Sequence, residues 1–260
     1  MNLAIIGCGK MGKMIEQVAC ANGYGIKAIV DPFAKDVPSG IPCYKTINEA
    51  SSLLKEADAA IEFTQPDTAV ANIALLAEQN IPIVTGTTGW FDRMDEVKKI
   101  IEAKNGSLLW ASNFSIGVNM FYRIAWYAAQ LANNFPEYDA GGFEAHHNKK
   151  IDSPSGTAKT LAEGVLSRID RKNKIIWEAL DRKIEADELH FPSLRMGSVT
   201  GTHSLFFDSP ADIIEITHTA RSREGFATGA IKAAMWLASN KLKGIFTIDD
   251  MMKDLFKENI

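Results

Sequence analysis

The densest group of chemically active side chains in this 260-residue sequence lies within residues 144–159. It contains the adjacent His146 and His147, followed by Lys149 and Lys150. Histidine exchanges a proton near neutral pH, and lysines supply the positive field that a carboxylate substrate needs. If the chain is extended here, the two imidazole rings point to opposite sides, so one can act as an acid while the other supports it or binds substrate.

A second candidate anion site follows at Ser155-Gly156-Thr157. This tripeptide is typical of a helix start, where first-turn backbone N–H groups, joined by the Thr157 hydroxyl, attract negative charge. Two neighbouring sites for anions predict a small dicarboxylate substrate. A purely structural alternative exists, because histidine pairs in loops and serine caps at helix starts are also common without a ligand.

A glycine-rich loop near the N-terminus indicates a bound dinucleotide. Residues 7–12 match the G-x-G-x-x-G pattern between an apolar strand and a helix start. In such loops glycines permit a tight turn, close approach of a pyrophosphate and close helix–strand packing. The alternative is a glycine-rich turn without a ligand. The predicted cofactor-binding residues of this loop are Gly7, Gly9, Lys10, Met11 and Gly12.

Asp31 ends the second predicted strand, 19 positions after Gly12. A carboxylate at about this spacing accepts hydrogen bonds from the ribose 2′-hydroxyl and repels a 2′-phosphate. It therefore favours NAD over NADP unless a cation compensates, and Lys10 and Lys35 are the candidate cations. We predict that NADH and NADPH are both used, with NADH preferred or nearly equal. The alternative for Asp31 is an ordinary polar strand end.

Two further loops follow predicted strands, where open α/β sheets bind ligands. They are Phe63-Thr64-Gln65-Pro66 and Thr85-Gly86-Thr87-Thr88-Gly89. Their small and hydroxyl-bearing residues suit a nicotinamide and its ribose, although plain turn chemistry would give a similar composition.

The elements that must position these residues change in pattern near residue 113. Before it, apolar runs at 3–6, 26–30, 59–63, 83–84 and 108–111 alternate with helical periodicity at 11–22, 67–79 and 92–104. After it come predicted helices at 118–133, 156–168 and 226–239, and predicted strands near 138–146, 198–207 and 213–219. This predicts an α/β protein with an N-terminal Rossmann-type, doubly wound parallel sheet and a separate α+β domain on an open mixed sheet.

The composition excludes several function classes. A net charge of −4 argues against nucleic acid or an anionic membrane as partner, and no apolar run is long enough to span a bilayer. The three cysteines lack zinc or redox spacing, and the five histidines form no HExxH pattern, so no metal site is predicted. Free thiols and the lack of a signal peptide predict a cytoplasmic location.

The sequence resembles the 4-hydroxy-tetrahydrodipicolinate reductases, also called dihydrodipicolinate reductases, of diaminopimelate and lysine synthesis. The resemblance is carried by residues 146–150 (HHNKK) and 152–158 (DSPSGTA). Further matches are residues 7–12, 61–64 (IEFT), 86–89 (GTTG), 111–115 (ASNFS) and 215–218 (EITH), with Ser222-Arg223 and Phe226-Ala227. It therefore extends over nearly the whole chain.

The resemblance implies a role for each matching residue. His146 would be the general acid, Lys150 the cation that binds substrate and stabilises developing charge, His147 a substrate-site partner, and Gly156 with Thr157 the carboxylate cradle. A nicotinamide pocket is implied for Gly86, Thr88, Ser112 and Phe114, and Thr64 is a further cofactor-binding candidate from its position in the loop after a predicted strand. The predicted domains are residues 1–113 for the dinucleotide, 114–223 for substrate and oligomerisation, and a segment 224–260, which the resemblance implies returns to the first domain. A homotetramer joined through the second domain's sheet is also implied.

Two other functions remain open at this point. Another small-acid dehydrogenase, such as an aspartate dehydrogenase, would share the glycine loop but would not need the histidine pair and the Ser-Gly-Thr turn. A dinucleotide-sensing binding protein would need a basic or protein-binding surface, which this composition does not suggest.

Overall fold

The computed structural model describes residues 1–35, 37 and 40–256, and these form two compact units. The first unit comprises Met1–Ile116 and the residues from Arg223 onward, and the second comprises Gly117–Ser222. None of the helices within the described residues is long and apolar enough to cross a membrane.

The described part of the first unit holds a seven-stranded sheet in which all neighbouring strands are parallel. Its strands are β1 (Asn2–Ile6), β2 (Gly25–Val30), β3 (Cys43–Tyr44), β4 (Ala59–Glu62), β5 (Ile83–Thr85), β6 (Ser107–Trp110) and β13 (Gly244–Thr247). Their order across the sheet is β13-β6-β5-β4-β1-β2-β3. The confirmed parallel sheet explains the continuous apolar runs, because its central strands are covered on both faces.

Helices cover this sheet on its two faces. They are α1 (Lys10–Ala21), α2 (Ser51–Leu54), α3 (Pro66–Glu78), α4 (Met94–Ala103, after a 3₁₀ turn at Phe91–Arg93), α7 (Glu224–Ser239) and α8 (Ile248–Phe256). Leu3 and Ile5 pack into one core with α1 and α7, whereas Ala4 and Ile6 pack into the other core with α3 and α4. The alternation of side chains along β1 thus supplies both cores.

The second unit has a mixed sheet covered by helices. Its strands are β7 (Asp139–His146), β8 (Lys174–Ile176), β9 (Glu188–His190), β10 (Ser193–Arg195), β11 (Thr202–Asp208) and β12 (Ile213–Thr219), and its helices are α5 (Ile116–Ala132), which begins at the unit boundary, and α6 (Gly156–Leu166). The order is β12-β11-β7-β9-β8, with β10 also paired to β7. β11 runs antiparallel to β7 and β12, while β9 and β10 run parallel to β7. The predicted open mixed sheet is confirmed.

Several elements differ from the sequence predictions. The strand predicted near 198–207 begins only at Thr202, and the helix predicted from residue 92 begins as a 3₁₀ turn. The strands β3, β8, β9, β10 and β13 and the helices α2 and α8 were not predicted. All five of these strands have only two to four residues, too few to show a period of two.

Candidate active site

The glycine loop of the first unit has the conformation that a pyrophosphate site requires. Gly7 has φ +94°, and a Cβ there would lie 2.2 Å from the Phe63 carbonyl oxygen. A Cβ on Gly12 would lie 1.9 Å from the Gly7 oxygen, so both positions need glycine for the fold itself. At Gly9, the residue before α1, a Cβ would meet no atom within 4 Å. Its lack of a side chain therefore leaves space for a ligand at the helix N-terminus.

Asp31 reaches back into this loop. Its Oδ2 accepts a hydrogen bond from the Cys8 N–H at 2.6 Å, and its Oδ1 accepts one from the Phe33 N–H at 2.7 Å. The carboxylate thus shapes the loop, a role that the sequence did not indicate. Each carboxylate oxygen has a further lone pair, so Asp31 can still accept from a ribose hydroxyl.

A cavity of about 420 Å³ opens beside Asp31. Gly7, Gly9, Asp31 and Thr64 line it, and these are four of the predicted cofactor residues. Lys45 and Thr46 line it as well, and neither was predicted. Lys10 and Lys35 are exposed and are not among the described residues that line the cavity. Lys45 is therefore a further candidate cation for a charged group beside Asp31, in addition to the two lysines proposed from the sequence.

Thr64 belongs to a buried polar group at the ends of β4 and β5. Glu62 is fully buried and accepts hydrogen bonds from the hydroxyls of Thr64 and Thr85. The Thr64 N–H donates to the Thr87 hydroxyl at 2.8 Å. These bonds tie the loop after β4 to the loop after β5.

Phe63 brings together two of the predicted nicotinamide residues. A Cβ on Gly86 would lie 2.1 Å from the Phe63 ring, so Gly86 is small because that ring occupies the space. The ring of the buried Phe114 lies 6.0 Å from the Phe63 ring between centroids. Thr88 and Ser112 are exposed residues of the loops after β5 and β6. Met11 is a partly buried residue of the first turn of α1.

In the second unit, His146 is held at the end of β7 beside a buried carboxylate. His146 is 8% exposed, and its Nδ1 lies 2.6 Å from Oε2 of the fully buried Glu144. The two residues are two positions apart on one strand, so their side chains share a face of the sheet. Burial lowers the pKa of His146, the Glu144 carboxylate acts in the opposite direction, and the positive charges of Lys150 and Arg195 lower it further.

The other oxygen of Glu144 is surrounded by donors. Its Oε1 accepts from the Ser155 N–H at 3.1 Å, the Ser193 hydroxyl at 2.7 Å and the Arg195 guanidinium at 2.8 Å. Strand β10 delivers two of these donors, because its register pairs Ser193 with Glu144 and Arg195 with His146. Burial alone would raise the pKa of Glu144, but the hydrogen bonds from Ser193, Ser155 and Arg195 lower it to about 2. Glu144 is therefore ionised at neutral pH.

A second histidine contributes to the same cluster. His203 on β11 pairs with Glu144 in the antiparallel ladder. Its ring packs edge-on against the His146 ring, with 5.2 Å between the ring centroids. Its Nε2 lies 3.2 Å from the Ser155 hydroxyl and 3.8 Å from Glu144 Oε2. Burial, with the neighbouring His146, lowers the pKa of His203 to about 4, so His203 is neutral near pH 7.

Lys150 lies in the turn that follows β7. Its Nζ is 2.8 Å from an Asp152 carboxylate oxygen, and the Arg195 guanidinium donates to the Asp152 backbone oxygen at 2.7 Å. Lys150 is half-buried, with 22% of its side chain exposed, whereas Lys149 is exposed. His147 is also half-buried. Of the two lysines, Lys150 is the one whose head group is tied to this cluster.

The predicted anion cradle lies at the start of α6. Ser155 caps this helix, its hydroxyl accepting from the Ala158 N–H at 3.1 Å. A Cβ on Gly156 would meet no atom within 4 Å, and Thr157 is half-buried with its carbonyl oxygen accepting from the Tyr122 hydroxyl at 3.3 Å. The predicted residues His146, Lys150, Gly156 and Thr157 are thus joined through Glu144, Ser155 and Arg195.

Glu144, His146 and His203 offer ligand atoms within 4.8 Å of one another, a spacing that a metal ion could use. However, two ligands of a tetrahedral zinc lie about 3.3 Å apart, given metal–ligand bonds of about 2.0 Å. The 2.6 Å separation of Glu144 Oε2 from His146 Nδ1 is shorter and has the length of a charge-assisted hydrogen bond. The cation Arg195 is also already bound to Glu144. The spacing of Glu144 and His146 therefore suits a proton between them better than a metal ion.

Comparison with known protein families agrees with both units. A family model described as dihydrodipicolinate reductase, N-terminus, matches residues 1–114, and one described as dihydrodipicolinate reductase, C-terminus, matches residues 117–252. The chain belongs to the dihydrodipicolinate reductase family. The resemblance stated from the sequence is confirmed, and a dinucleotide-sensing binding protein or an aspartate dehydrogenase no longer accounts for the chain.

Individual members of the dihydrodipicolinate reductase family match over nearly their full length. The 4-hydroxy-tetrahydrodipicolinate reductase of Christiangramia forsetii is 38% identical, over 99% of this chain and 100% of the relative. The enzyme of that name from Archaeoglobus fulgidus is 35% identical, over 97% and 100%. A solved dihydrodipicolinate reductase from Paenisporosarcina sp. TG-14, described as dipicolinate bound, has a TM-score of 0.75 at 20% identity and covers 95% of this chain and 97% of that one. This last likeness supports the fold.

The sequence reasoning missed several residues of the cluster. Glu144 could have been found, because a glutamate two positions before a candidate acid in a strand shares its face. Arg195 and His203 could not, because nothing local ties them to β7. Lys45 and Thr46 directly follow the two-residue edge strand β3, which is too short to give a periodic signal.

Proposed function

We propose that this chain is an NAD(P)H-dependent 4-hydroxy-tetrahydrodipicolinate reductase, which forms tetrahydrodipicolinate in diaminopimelate and lysine synthesis. The observation that carries the proposal is the family match over both units. The clustering of His146, Lys150 and the α6 N-terminus around one buried carboxylate supports it independently, because this chemistry needs an acid and sites for anions.

The reduced nicotinamide, when bound, supplies the hydride that reaches substrate C4 after water is lost. In the first unit, the N-terminus of α1 behind Gly9 would bind the pyrophosphate, and Asp31 would accept from the ribose. Thr64, Gly86, Thr88, Ser112 and Phe114 would form the nicotinamide pocket. What these residues contribute is binding and orientation, because the redox chemistry belongs to the cofactor.

In the second unit, the substrate's two carboxylates would be bound by different groups. The first-turn N–H groups of α6, with the Thr157 hydroxyl, would hold one carboxylate beside Gly156, where no side chain blocks the approach. Lys150 would bind the substrate as a cation, and His147 would assist it. The dipicolinate described in the solved relative is itself a dicarboxylate, in agreement with this substrate class.

His146 would complete the reaction as the general acid. After hydride reaches C4, the electron pair of the resulting enamine takes a proton at C3, and the His146 imidazolium can give that proton. Glu144 stabilises the imidazolium form, so the acid is more readily regenerated from solvent. Lys150 would stabilise the negative charge that develops on the substrate.

A homotetramer joined through the second unit's sheet and a cytoplasmic location also remain proposals. The exposed Ile213 and Ile214 on the edge strand β12 support an interface there, because an exposed apolar edge strand is prone to pair with another chain. Light scattering of the purified protein would test the tetramer.

The activity is tested by following reduced-cofactor oxidation with freshly generated 4-hydroxy-tetrahydrodipicolinate and identifying the product by mass spectrometry. We expect oxidation with NADH and with NADPH, dependent on substrate. His146→Gln serves as the matched control with intact binding sites. Oxidation that is equally fast without substrate, or the absence of a product two hydrogens richer than the dehydrated substrate, would contradict the proposal.

A further inference from the structure

We infer that Glu144 is a positioning residue that holds His146 as its Nδ1–H tautomer and, through Ser155, fixes the start of α6 relative to the imidazole ring. One carboxylate would then align the acid with the carboxylate cradle. The inference deepens the proposed function, because it rests on His146 being the acid of that reaction.

The two oxygens of Glu144 have different surroundings, and this difference fixes the tautomer. Oε1 is taken by donors from Ser155, Ser193 and Arg195, so Oε2 is the oxygen that faces His146 Nδ1, at 2.6 Å. An ionised carboxylate can only accept hydrogen bonds. From this distance we assign the proton of a neutral His146 to Nδ1, which would leave Nε2 as the nitrogen that gains and gives the proton in the proposed reaction.

The opposite ring nitrogen is constrained as well. A Cβ on Gly201 would lie 2.9 Å from His146 Nε2. The ring therefore packs against a position where only glycine leaves it room, while Glu144 holds it from the other side. A rotated ring would lose the Glu144 contact, so the two constraints together select one orientation.

The titratable groups around His146 lie on strands β7, β10, β11 and β12 and on the turn after β7. Lys150 in the turn after β7 and Arg195 on β10 are cations that lower the pKa of His146, and His203 on β11 is neutral near pH 7. His218 on β12 lies beyond His203 in the ladder, and burial lowers its pKa too. Glu144 is the anion that opposes these effects on His146. Without it, the imidazolium would be disfavoured by burial and by both cations.

Glu144→Gln separates this role from simple packing. The variant has nearly the same shape, and its single amide oxygen is required by the three donors at the Oε1 position. Its NH₂ group must then face His146 Nδ1, which turns Nδ1 into an acceptor and moves the proton of the neutral ring to Nε2. The change also removes the anion, so the pKa of His146 should fall by about one unit or more.

The first test is spectroscopic and compares the unmodified protein with Glu144→Gln. Nitrogen-15 NMR of histidine-labelled protein, with the His146 signals assigned by their loss in His146→Gln, reports which ring nitrogen is protonated. We expect the Nδ1–H form in the unmodified protein and the Nε2–H form in Glu144→Gln. An Nε2–H tautomer in the unmodified protein would overturn the inference.

The second test is kinetic. Glu144→Gln should lower kcat by about 10²-fold, within the usual range for a general acid, and should move the alkaline decline of kcat to lower pH by about one unit. Glu144→Gln combined with His146→Gln should lose no more activity than His146→Gln alone, because Glu144 acts through His146. Additive losses, or an unchanged pH profile in Glu144→Gln, would contradict the role.

Glu188→Gln is the matched control. Glu188 on β9 is 4% exposed, is bound by Arg182 at 2.7 Å and likewise has a pKa lowered to about 2, but it belongs to a different ion-pair cluster of the same sheet. We expect its variant to keep the His146 tautomer, the pH profile and kcat. If the unmodified protein shows the Nδ1–H tautomer but no substrate reduction, the proposed function fails and the tautomer assignment stands. If the unmodified protein reduces the substrate but shows the Nε2–H tautomer, the proposed function stands and the role assigned to Glu144 fails.

Discussion

Replacing Asp31 with asparagine is expected to turn the cofactor preference toward NADPH. The carboxylate accepts hydrogen bonds from the N–H groups of Cys8 and Phe33 at 2.6 and 2.7 Å, so truncation to alanine would damage the glycine loop as well as the ribose site. Asparagine keeps an acceptor and the side-chain shape while removing the charge. Only one of its two terminal atoms can accept, so either the Cys8 or the Phe33 N–H loses its acceptor. Because both cofactors use the same glycine loop, the ratio of their kcat/KM values still isolates the electrostatic contribution.

The magnitude follows from two effects of opposite sign on the two cofactors. A hydrogen bond to a charged group contributes about 1.5–3 kcal/mol and a neutral one about 0.5–1.5, so NADH should lose about 1.4 kcal/mol, or about tenfold in kcat/KM. A 2′-phosphate about 4 Å from the carboxylate is repelled by about 1 kcal/mol in water and by more near the protein surface. The ratio of kcat/KM for NADPH over NADH should therefore rise about 10²-fold.

The assay is a pair of kcat/KM measurements for each cofactor at one ionic strength. Lys45→Ala provides the counterpart, because Lys45 lines the same cavity, and it should weaken NADPH while sparing NADH. Raised salt should likewise weaken NADPH binding more than NADH binding. If the NADPH-to-NADH ratio is unchanged in Asp31→Asn, another group reads the ribose and the reasoning from Asp31 is wrong.

The remaining predictions concern the second unit. His146→Gln should lower kcat by about 10²–10⁴-fold with a much smaller change in KM, as steady-state kinetics would show. Lys150→Ala should impair both parameters while the control Lys149→Ala does not; the reverse pattern would reassign the cation. Thr157→Val should weaken substrate binding and leave cofactor binding intact in calorimetry, and equal weakening of both would point to misfolding. The pKa of His203 is about 4 in the folded protein against an ordinary 6.5. Between these pH values the unfolded chain therefore binds more protons than the folded one. The free energy of unfolding should be highest above pH 6.5 and should fall by up to about 3 kcal/mol as the pH is lowered toward 4. Denaturant titrations at several pH values should show this slope, and His203→Gln should flatten it.

The fold was predictable where the pattern was long and local. The central strands of the first unit are continuous apolar runs, because their residues enter two cores in turn, and the glycine loop identifies the strand and helix that flank it. The start of α6 was predictable for the same reason, since Ser155 forms its cap with a local hydrogen bond to the Ala158 N–H. In each case the sequence signal that predicts the element lies within a few residues.

The cluster around His146 was predictable only in part. His146 and Lys150 stand close together in the sequence, but what holds His146 depends on strand register. Ser193, Arg195 and His203 meet Glu144 because β10 and β11 pair with β7 in one particular alignment. That alignment is set by packing across the whole sheet, so no local signal in residues 188–208 reveals it. Asp31 shows the same limit, because its hydrogen bond to the Cys8 N–H depends on the loop geometry.

The buried cluster also explains how His146, the proposed acid, can be protonated although it is almost fully buried. A carboxylate as fully buried as Glu144 is strongly disfavoured unless it is paired and hydrogen-bonded, and here three donors, one of them the cation Arg195, compensate for the lost water. The other carboxylate oxygen, Oε2, faces His146 and stabilises its imidazolium form, which burial would otherwise disfavour. Among the described residues only His146 lies at hydrogen-bonding distance from Oε2, so the strength of the proposed acid depends on how completely Arg195, Ser193 and Ser155 occupy Oε1. Weakening these donors would raise the pKa of Glu144 and draw a proton between the two groups toward the carboxylate, so strand β10 would tune the proposed acid without carrying it.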